Sequence, residues 1–191
     1  MTFGYGMGMD KWDRIWTERG HAVSGHAAFL DRIADRLPTR GRALDLAGGA
    51  GRNATWLAAR GFDVTVCDRS AVGLTLAAEA GHKTLQRDVE AEGPPEGPWD
   101  LVLIHHFLWR PVFDLLDTDW LIFVQPTTIN LERHPRPSER FLLRPGEVVE
   151  LLAGQTVVHL EEGWGAEGRH EARVVARTPP EEPKRRPRRA R

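Results

Sequence analysis

The sequence predicts a doubly wound α/β fold, in which helices cover both faces of a mostly parallel sheet. From residue 42 onward, short apolar runs typical of strands alternate with helical segments, and this alternation is typical of parallel sheets joined by right-handed crossovers. The run WDLVLIHHF is almost continuously apolar, which indicates a strand buried on both faces. Near the end, two strand-like runs flank a glycine-rich turn and predict an antiparallel terminal hairpin.

Composition fits one ordinary domain and argues against several classes of protein. The 191 residues are 41% hydrophobic and 28% charged, with a formal net charge of -1. Such a balance gives no general attraction to nucleic acid or anionic membrane. The single cysteine, Cys67, excludes an intramolecular disulfide and a cysteine-based zinc site, which favours a cytoplasmic location. No leader pattern or long apolar stretch is present, so we expect neither export nor membrane spanning.

Two helices are predicted before the first strand, so that residues 1–40 form an N-terminal helical cap. In the segment DKWDRIWTERG, Trp12, Ile15 and Trp16 recur at helical spacing. The second helix ends at Pro38, because proline disfavours helix in the residue before it. Its apolar stripe consists of Phe29, Leu30, Ile33 and Leu37.

The remaining elements follow in order. The predicted strands are RALDLA, DVTVCD, TLQRDV, WDLVLIHHF and DWLIFVQP, followed by the hairpin strands QTVVHLEEGW and EARVVARTP. The predicted helices are GRNATWLAARG, AVGLTLAAEAG, RPVFDLL and RPGEVVELLAG. The polar, proline-containing segment 127–141 is predicted to be a long loop over the carboxyl ends of the strands.

The end of the chain differs in composition from the rest. From Lys184 onward, six of eight residues are basic, and nothing apolar is available to bury. We therefore expect a single domain over residues 1–178 and a basic, disordered tail over 179–191. Weak contact of this tail with nucleic acid or another polyanion is the alternative.

The passage from the first strand to the next helix is the strongest candidate for a ligand site. It reads LDLAGGAGRNATWLA, and in open α/β sheets ligands bind where strands end and helices begin. Gly49 and Gly51 let the backbone turn tightly and approach a ligand closely, and Ala47 keeps bulk away.

Two cofactors fit this short pattern. Gly49, Gly51 and Ala54 satisfy the dinucleotide fingerprint G-x-G-x-x-G/A, and Asp68 follows about 20 residues later, where a carboxylate binds ribose hydroxyls. A small NAD(P)-dependent oxidoreductase is therefore one interpretation. A non-catalytic nucleotide-binding sensor or interaction module on the same fold is another.

Three features favour S-adenosylmethionine instead. Asp45 ends the first strand, where a carboxylate suits the ammonium group of a methionine moiety better than a pyrophosphate, which it would repel. Asp88 ends the third strand and is able to accept a hydrogen bond from an adenine amino group. The predicted strands and hairpin occupy the chain, which leaves no separate substrate domain of the usual dehydrogenase kind.

The segment LDLAGGAGRNATWLAARGFDVTVCDRS resembles the first two motifs of class I S-adenosylmethionine-dependent methyltransferases, in particular the small bacterial branch that includes the tellurite-resistance methyltransferases. WDRIWTERG, WDLVLIHHFLWRPVF and FLLRPGEVVELL add to the resemblance, which covers residues 10 to 177. It implies a Rossmann-like, seven-stranded sheet whose last strand is antiparallel.

The resemblance also implies how the cofactor is held. Asp45, Ala47, Gly49 and Gly51 would cradle its methionine and ribose side, and Asp68 would bind the ribose hydroxyls. The adenine would be flanked by Arg69 and read by Asp88 and Val89, and the segment that closes over the cofactor would contain Trp16 and Arg19. Ala47 stands where the family usually has a glycine, which is tolerable if its φ is negative. DTD and QPTT, before and after the fifth strand, also depart from the family pattern.

His105 and His106 are the candidate catalytic bases, because they end the fourth strand where an acceptor would meet the cofactor. Side-chain alternation along a strand sends them to opposite faces. Either one of them faces the pocket, or both are structural. A thiolate or a tellurium or selenium oxyanion needs no strong base, whereas a hydroxyl or amine does.

Arg110 and Arg52 are candidate binders of an anionic acceptor, with a surface ion pair as the alternative for Arg110. His134 has no neighbour at metal-ligand spacing, so we expect no metal site. The sequence thus predicts in-line methyl transfer from S-adenosylmethionine to a small molecule, with the protein mainly positioning the reactants.

Overall fold

Seven strands form one sheet in the computed structural model, which describes residues 11–20 and 25–179. The strands are β1 (Gly41–Leu46), β2 (Phe62–Asp68), β3 (Lys83–Gln86), β4 (Trp99–His105), β5 (Thr118–Pro126), β6 (Thr156–Trp164) and β7 (His170–Arg177). Their order across the sheet is β3-β2-β1-β4-β5-β7-β6. The first five are parallel, and β7 pairs antiparallel with both β5 and β6. The predicted mostly parallel sheet with a terminal hairpin is confirmed.

Helices cover both faces of this sheet, as predicted. They are α1 (Lys11–Arg19), α2 (Phe29–Ile33), α3 (Arg52–Ala59), α4 (Ala71–Glu79), α5 (Val89–Glu92), α6 (Val112–Leu115) and α7 (Glu147–Leu151). One buried cluster joins α2, α3 and α4 to the sheet, and a second joins α5, α6 and α7 to the opposite face. The described part of the chain therefore has the three-layer arrangement of doubly wound α/β proteins.

Neighbouring residues within the central strands face different layers. In β4, Leu101 belongs to the first cluster and Val102 to the second, and both are fully buried. The continuous apolar run that predicted a doubly covered strand follows from this arrangement. In α2, Phe29, Leu30 and Ile33 are buried as their spacing predicts.

Several boundaries differ from the sequence-based expectation. Strand β3 ends at Gln86, because Asp88 is the N-cap of α5 and its side chain accepts from the Glu90 amide. Helix α7 begins at Glu147, because the preceding Gly146 has a φ of +75°. The loop after β5 contains two short 3-10 helices, Thr128–Glu132 and Glu139–Phe141.

Three stretches of the chain lie outside the described ranges, namely residues 1–10, 21–24 and 180–191. The last of them includes the basic part of the predicted tail. Within the described ranges, no helix has the length and apolar character that a membrane span requires.

Candidate functional site

The loop between β1 and α3 is made of residues in an unusual backbone conformation. Gly49 and Gly51 have φ values of +55° and +75°. Ala47 also has a positive φ, of +55°, and therefore lacks the negative φ that makes an alanine tolerable at this position. A left-handed alanine costs roughly 1 to 2 kcal/mol, because its Cβ approaches the following carbonyl oxygen. The loop therefore carries strain at the position where the family usually has a glycine.

The bare backbone of this loop is covered by an indole. A Cβ placed on Gly49 would lie 2.0 Å from Cζ2 of Trp16, and one placed on Gly73 would lie 3.0 Å from Nε1 of the same ring. The absence of side chains at these two positions therefore lets Trp16 pack directly on the loop and on α4. That the N-terminal segment closes over a bound cofactor stays a prediction.

A carboxylate of helix α1 also contacts the start of α4. Oδ1 of Asp13 accepts hydrogen bonds from the Ser70 hydroxyl, at 2.6 Å, and from the Val72 amide, at 3.3 Å. Both donors belong to the first turn of α4, where an anion is favoured by free amides and the helix dipole. Arg19, the other residue expected in the cover, is the exposed last residue of α1.

Asp45 lies at the tip of β1 and is buried, with 1% of its surface exposed. Its Oδ2 accepts from the Ala54 amide at 3.1 Å, whereas Oδ1 is buried without a hydrogen-bond partner among the described residues. Burial raises the pKa of the Asp45 carboxyl to about 7. An unpartnered buried acceptor costs free energy, so this oxygen is a candidate acceptor for a donor that a ligand would supply.

Asp68 lies at the tip of β2 and holds the loop from the other side. It accepts from the Gly49 amide through Oδ2 and from the Ser70 amide through Oδ1, each at 2.8 Å. Burial raises the pKa of Asp68, and these backbone hydrogen bonds partly oppose that effect. Each carboxylate oxygen has a second lone pair. Asp68 can therefore still accept hydrogen bonds from ribose hydroxyls while it holds the two backbone amides.

Asp88 completes the row of carboxylates at adjacent strand ends. Its Oδ2 lies 3.3 Å from Nη1 of Arg69, the residue that follows Asp68. Val89 is buried in the core beside it, so only its backbone is placed to read an adenine edge. The structure thus brings Asp45, Asp68 and Asp88 to one edge of the sheet around the bare loop.

The two histidines do not point to opposite faces, and that prediction is wrong. His105 ends β4, but His106 has a φ of +61°, which breaks the strand alternation. As a result the two rings stack, with centroids 3.9 Å apart. Burial, followed by the neighbouring His106 and Arg52, holds the pKa of His105 well below its usual value.

Arg52 connects the histidines to the loop. It is the first residue of α3, directly after Gly51, and its Nη2 lies 3.5 Å from Nε2 of His105. Because β1 and β4 are paired, with Leu46 beside Ile104, His105 lies beside the start of the loop. Arg52 therefore lies between the proposed cofactor loop and the histidine pair.

Arg110 forms an ion pair instead of presenting a free guanidinium. Its Nε and Nη2 donate to the two oxygens of Glu147 at 2.6 and 3.1 Å, and Nη2 also donates to the Leu142 carbonyl at 3.2 Å. This bidentate contact holds the pKa of Glu147 below its usual value. Arg110 thus ties the segment after β4 to α7, and its donors are engaged in this structure.

Sequence reasoning did not find the partners of these groups. Glu171 and Arg173, on β7, form a buried pair at 2.8 Å, and Glu171 also contacts His106. The available signal was the pair of charged residues, Glu171 and Arg173, directly before the apolar run VVA of β7. Trp109 lines an open cleft of about 330 Å³ beside α5.

The loop after β5 lies against the hairpin turn. His134 donates to the Gly168 carbonyl at 2.7 Å, and Thr127 contacts His170 at 2.8 Å. These contacts border the histidine pair, since β5 ends beside His105. In the described ranges, no three His, Cys, Asp or Glu side chains gather where a metal ion would be held.

The residues present fit S-adenosylmethionine. Oδ1 of Asp45, which is buried without a hydrogen-bond partner among the described residues, suits the ammonium group of the methionine moiety. A dinucleotide pyrophosphate beside the same carboxyl would be repelled when the carboxyl is ionised. The loop glycines permit close approach, and Asp68 and Asp88 offer acceptors toward the ribose and adenine.

Comparison with known proteins supports the same cofactor. The sequence matches a family model described as a methyltransferase domain over residues 16–110. No curated protein sequence gives a significant match.

Solved structures with low sequence identity share the fold. TehB from Haemophilus influenzae superposes with a TM-score of 0.68 at 18% identity, over 88% of this chain and 67% of that chain. An S-adenosylmethionine-dependent methyltransferase from Mesorhizobium loti gives 0.63 at 19% identity, over 79% and 98%. A TehB-like S-adenosylmethionine-dependent methyltransferase from Corynebacterium glutamicum gives 0.62 at 16% identity, over 88% and 96%.

Fold, loop and family model agree, and they decide between the two cofactors that the short glycine pattern allowed. The chain contains a methyltransferase domain and has the class I fold of S-adenosylmethionine-dependent methyltransferases.

Proposed function

We propose that this enzyme transfers a methyl group to a small-molecule acceptor that binds beside His105 and His106. The observation that carries the proposal is the placement of Arg52, which follows the cofactor loop and contacts His105. An acceptor beside the histidines would thus lie next to a cofactor on the loop. The loop after β5 and the hairpin turn border this position, which favours an acceptor of limited size.

The cofactor supplies an activated methyl group, and transfer breaks the bond from methyl carbon to sulfur as the acceptor bond forms, with the electron pair passing to sulfur. The protein's part is to bind and orient. In this proposal, Asp45 accepts from the ammonium group, and Ala47, Gly49 and Gly51 present the loop backbone. Asp68 accepts from the ribose, and Arg69, Asp88 and Val89 surround the adenine. Trp16 and Arg19 cover the site.

Of the candidate anion binders, Arg52 is favoured over Arg110. Arg52 lies at the histidine pair, whereas Arg110 donates to Glu147 and to loop carbonyls. A cytoplasmic location and a single domain over residues 1–178 belong to the same proposal.

An acceptor screen with labelled S-adenosylmethionine tests the proposal. Thiols, phenols, amines, tellurite and selenite each represent one acceptor chemistry, and we expect label transfer to one of these classes. The Asp45→Asn variant serves as the control for transfer that does not depend on the site. Tight binding of S-adenosylhomocysteine without transfer to any class would contradict the proposal and would favour a ligand-sensing role.

A further inference from the structure

We propose that Glu171 positions His106 as the general base for an acceptor whose attacking atom carries a proton. The inference rests on the methyl-transfer function proposed above and names the acceptor class as a hydroxyl, thiol or amine. His106 would act as a catalytic residue, and Glu171 as a positioning residue that acts through it.

The backbone fixes where the His106 ring lies. The His106 amide donates to the Val124 carbonyl at 2.9 Å, so the residue stays bound to β5 although its φ of +61° leaves the strand conformation. The ring then packs on His105, with centroids 3.9 Å apart. A non-glycine residue in the left-handed region costs free energy, and such strain is concentrated at functional sites.

Glu171 contacts His106 from strand β7. Its Oε1 lies 2.7 Å from Nε2 of His106, and its Oε2 accepts from Nη2 of Arg173 at 2.8 Å. Burial alone would raise the pKa of Glu171, but contacts with His106 and Arg173 outweigh it and lower the pKa. The carboxylate is thus an anchored anion that can only accept from Nε2.

This contact determines which nitrogen of neutral His106 carries its hydrogen. Because an ionised carboxylate accepts, Nε2 donates, and Nδ1 has the free lone pair. Among the described residues, His106 makes no other side-chain hydrogen bond. Its side chain is 25% exposed, so a small molecule can reach the ring.

The charged and titratable groups around the His105–His106 pair come from β4, α3, β7 and the turn before β7. They are His105 on β4, Arg52 on α3, Glu171 and Arg173 on β7, and Arg169 in the turn before β7. Since the pKa of His105 is far below its usual value, His105 is a neutral neighbour near pH 7. Glu171 therefore supplies the negative charge that stabilises an imidazolium at His106, whereas the positive charges of the nearby arginines oppose its formation.

The proton transfer follows from this geometry. As the acceptor's nucleophilic atom attacks, its proton moves to Nδ1 of His106, and the imidazolium that forms keeps its Nε2 hydrogen bond to Glu171. The proton then passes from Nδ1 to water, which restores the neutral base. Arg173 holds Glu171 in position throughout. An acceptor that is already an anion, such as tellurite, has no need of this step.

Nitrogen NMR of the cofactor-free protein tests the dyad without turnover. We expect neutral wild-type His106 to carry its hydrogen on Nε2. In Glu171→Gln, which removes the charge but keeps the shape, we expect this preference for Nε2 to be lost, because an amide can donate to the ring as well as accept from it. Glu161→Gln is the matched control, because Glu161 contacts Arg173 but does not contact His106, and it should leave the hydrogen of His106 on Nε2.

Either of two results would overturn the dyad: a hydrogen on Nδ1 of neutral His106 in the wild type, or the same preference for the Nε2 tautomer in wild type and Glu171→Gln. The wild-type tautomer decides the question even if Glu171→Gln fails to fold.

Kinetics separate a catalytic dyad from a structural one. With a protic acceptor, His106→Gln should lower kcat about 100-fold, because the general base is removed. Glu171→Gln should move the rising limb of the profile of kcat against pH toward lower pH, because loss of the carboxylate weakens the base. Affinity for S-adenosylhomocysteine should stay unchanged in both. Unchanged kcat in His106→Gln would overturn the general base. If no acceptor is methylated, the function proposed above fails, and the NMR result still decides the dyad.

Discussion

At the scale of single residues, the site depends on groups held in costly environments. Asp45 has an unpartnered buried oxygen, and Ala47 and His106 have left-handed backbones. The positions of these residues at a strand end were predictable from the sequence. Their conformations were not, because a positive φ at a non-glycine residue is imposed by contacts with distant strands and has no local signature.

Ala47 gives the first test of this strain. Ala47→Gly should raise the free energy of unfolding by about 0.5 kcal/mol, because relief of the left-handed strain exceeds the added entropy of the unfolded chain. Ala50→Gly, in the same loop but without a positive φ, should lower it by a similar amount. Urea denaturation of both variants measures the difference. If both substitutions destabilise the protein equally, the conformation assigned to Ala47 is wrong.

The raised pKa of Asp45 predicts that cofactor affinity depends on pH. The carboxyl must ionise to pair with an ammonium group, and its pKa is about 7. Affinity for S-adenosylhomocysteine should therefore rise by about tenfold from pH 6 to pH 8. Calorimetric titration at several pH values measures this, and Asp45→Asn should bind weakly without that slope. An affinity that is flat in wild type would contradict the assignment.

The same shift has the opposite effect on stability. The native state binds the Asp45 proton more tightly than the unfolded chain does. The protonated Asp45 carboxyl therefore contributes to the stability of the native state at low pH. This contribution is lost as the pH rises from about 4, the ordinary carboxyl value, toward 7. Binding of an ammonium group opposes this loss.

At the scale of elements, strand and helix identities were predictable because each apolar pattern matches one layer of the fold. The alternation in β1, α3, β2 and α4 is local information, and all four form where expected. Pairings between distant side chains were not predictable. Glu147 lies 37 residues from Arg110, and no local pattern relates the two. The surface ion pair considered for Arg110 turned out to join two elements.

Removal of Arg110 should therefore act on stability. Glu147 is only 4% exposed, so Arg110→Ala leaves a buried carboxylate without its main partner and should cost about 2 kcal/mol of unfolding free energy. Arg140→Ala, at an exposed arginine of the same cleft, should cost no more than about 0.5 kcal/mol. Unchanged stability of Arg110→Ala together with a raised KM for an anionic acceptor would restore the anion-binding interpretation.

Docking of α1 depends on Asp13. Asp13→Ala removes the acceptor for Ser70 and Val72, and amide hydrogen exchange in α1 should become about tenfold faster. Glu18→Ala, on an exposed position of the same helix, is the matched control. Equal exchange in the two variants would show that Trp16 packing alone holds the helix.

At the scale of the whole molecule, the sheet order brings the site together. Because β2, β1 and β4 are adjacent and parallel, their carboxyl ends place Asp68, Asp45 and His105 at one edge. The antiparallel β7 then brings Glu171 to the same edge through its pairing with β5. The residues of the cofactor site come from consecutive segments of the chain, so sequence motifs can identify them. The proposed acceptor site also depends on the terminal hairpin, whose position beside β5 cannot be read from local sequence patterns.

Calorimetric titration with S-adenosylhomocysteine tests the central claim, that carboxylates at adjacent strand ends hold this cofactor around a bare loop. We expect saturable binding at one site, no binding of NADH, and at least about tenfold weaker binding in Asp45→Asn, where the ammonium loses its charged partner. Asp63→Asn, an exposed aspartate at the opposite end of β2, should bind as the wild type does. Binding of NADH in place of S-adenosylhomocysteine, or equal affinity in Asp45→Asn and wild type, would contradict the account.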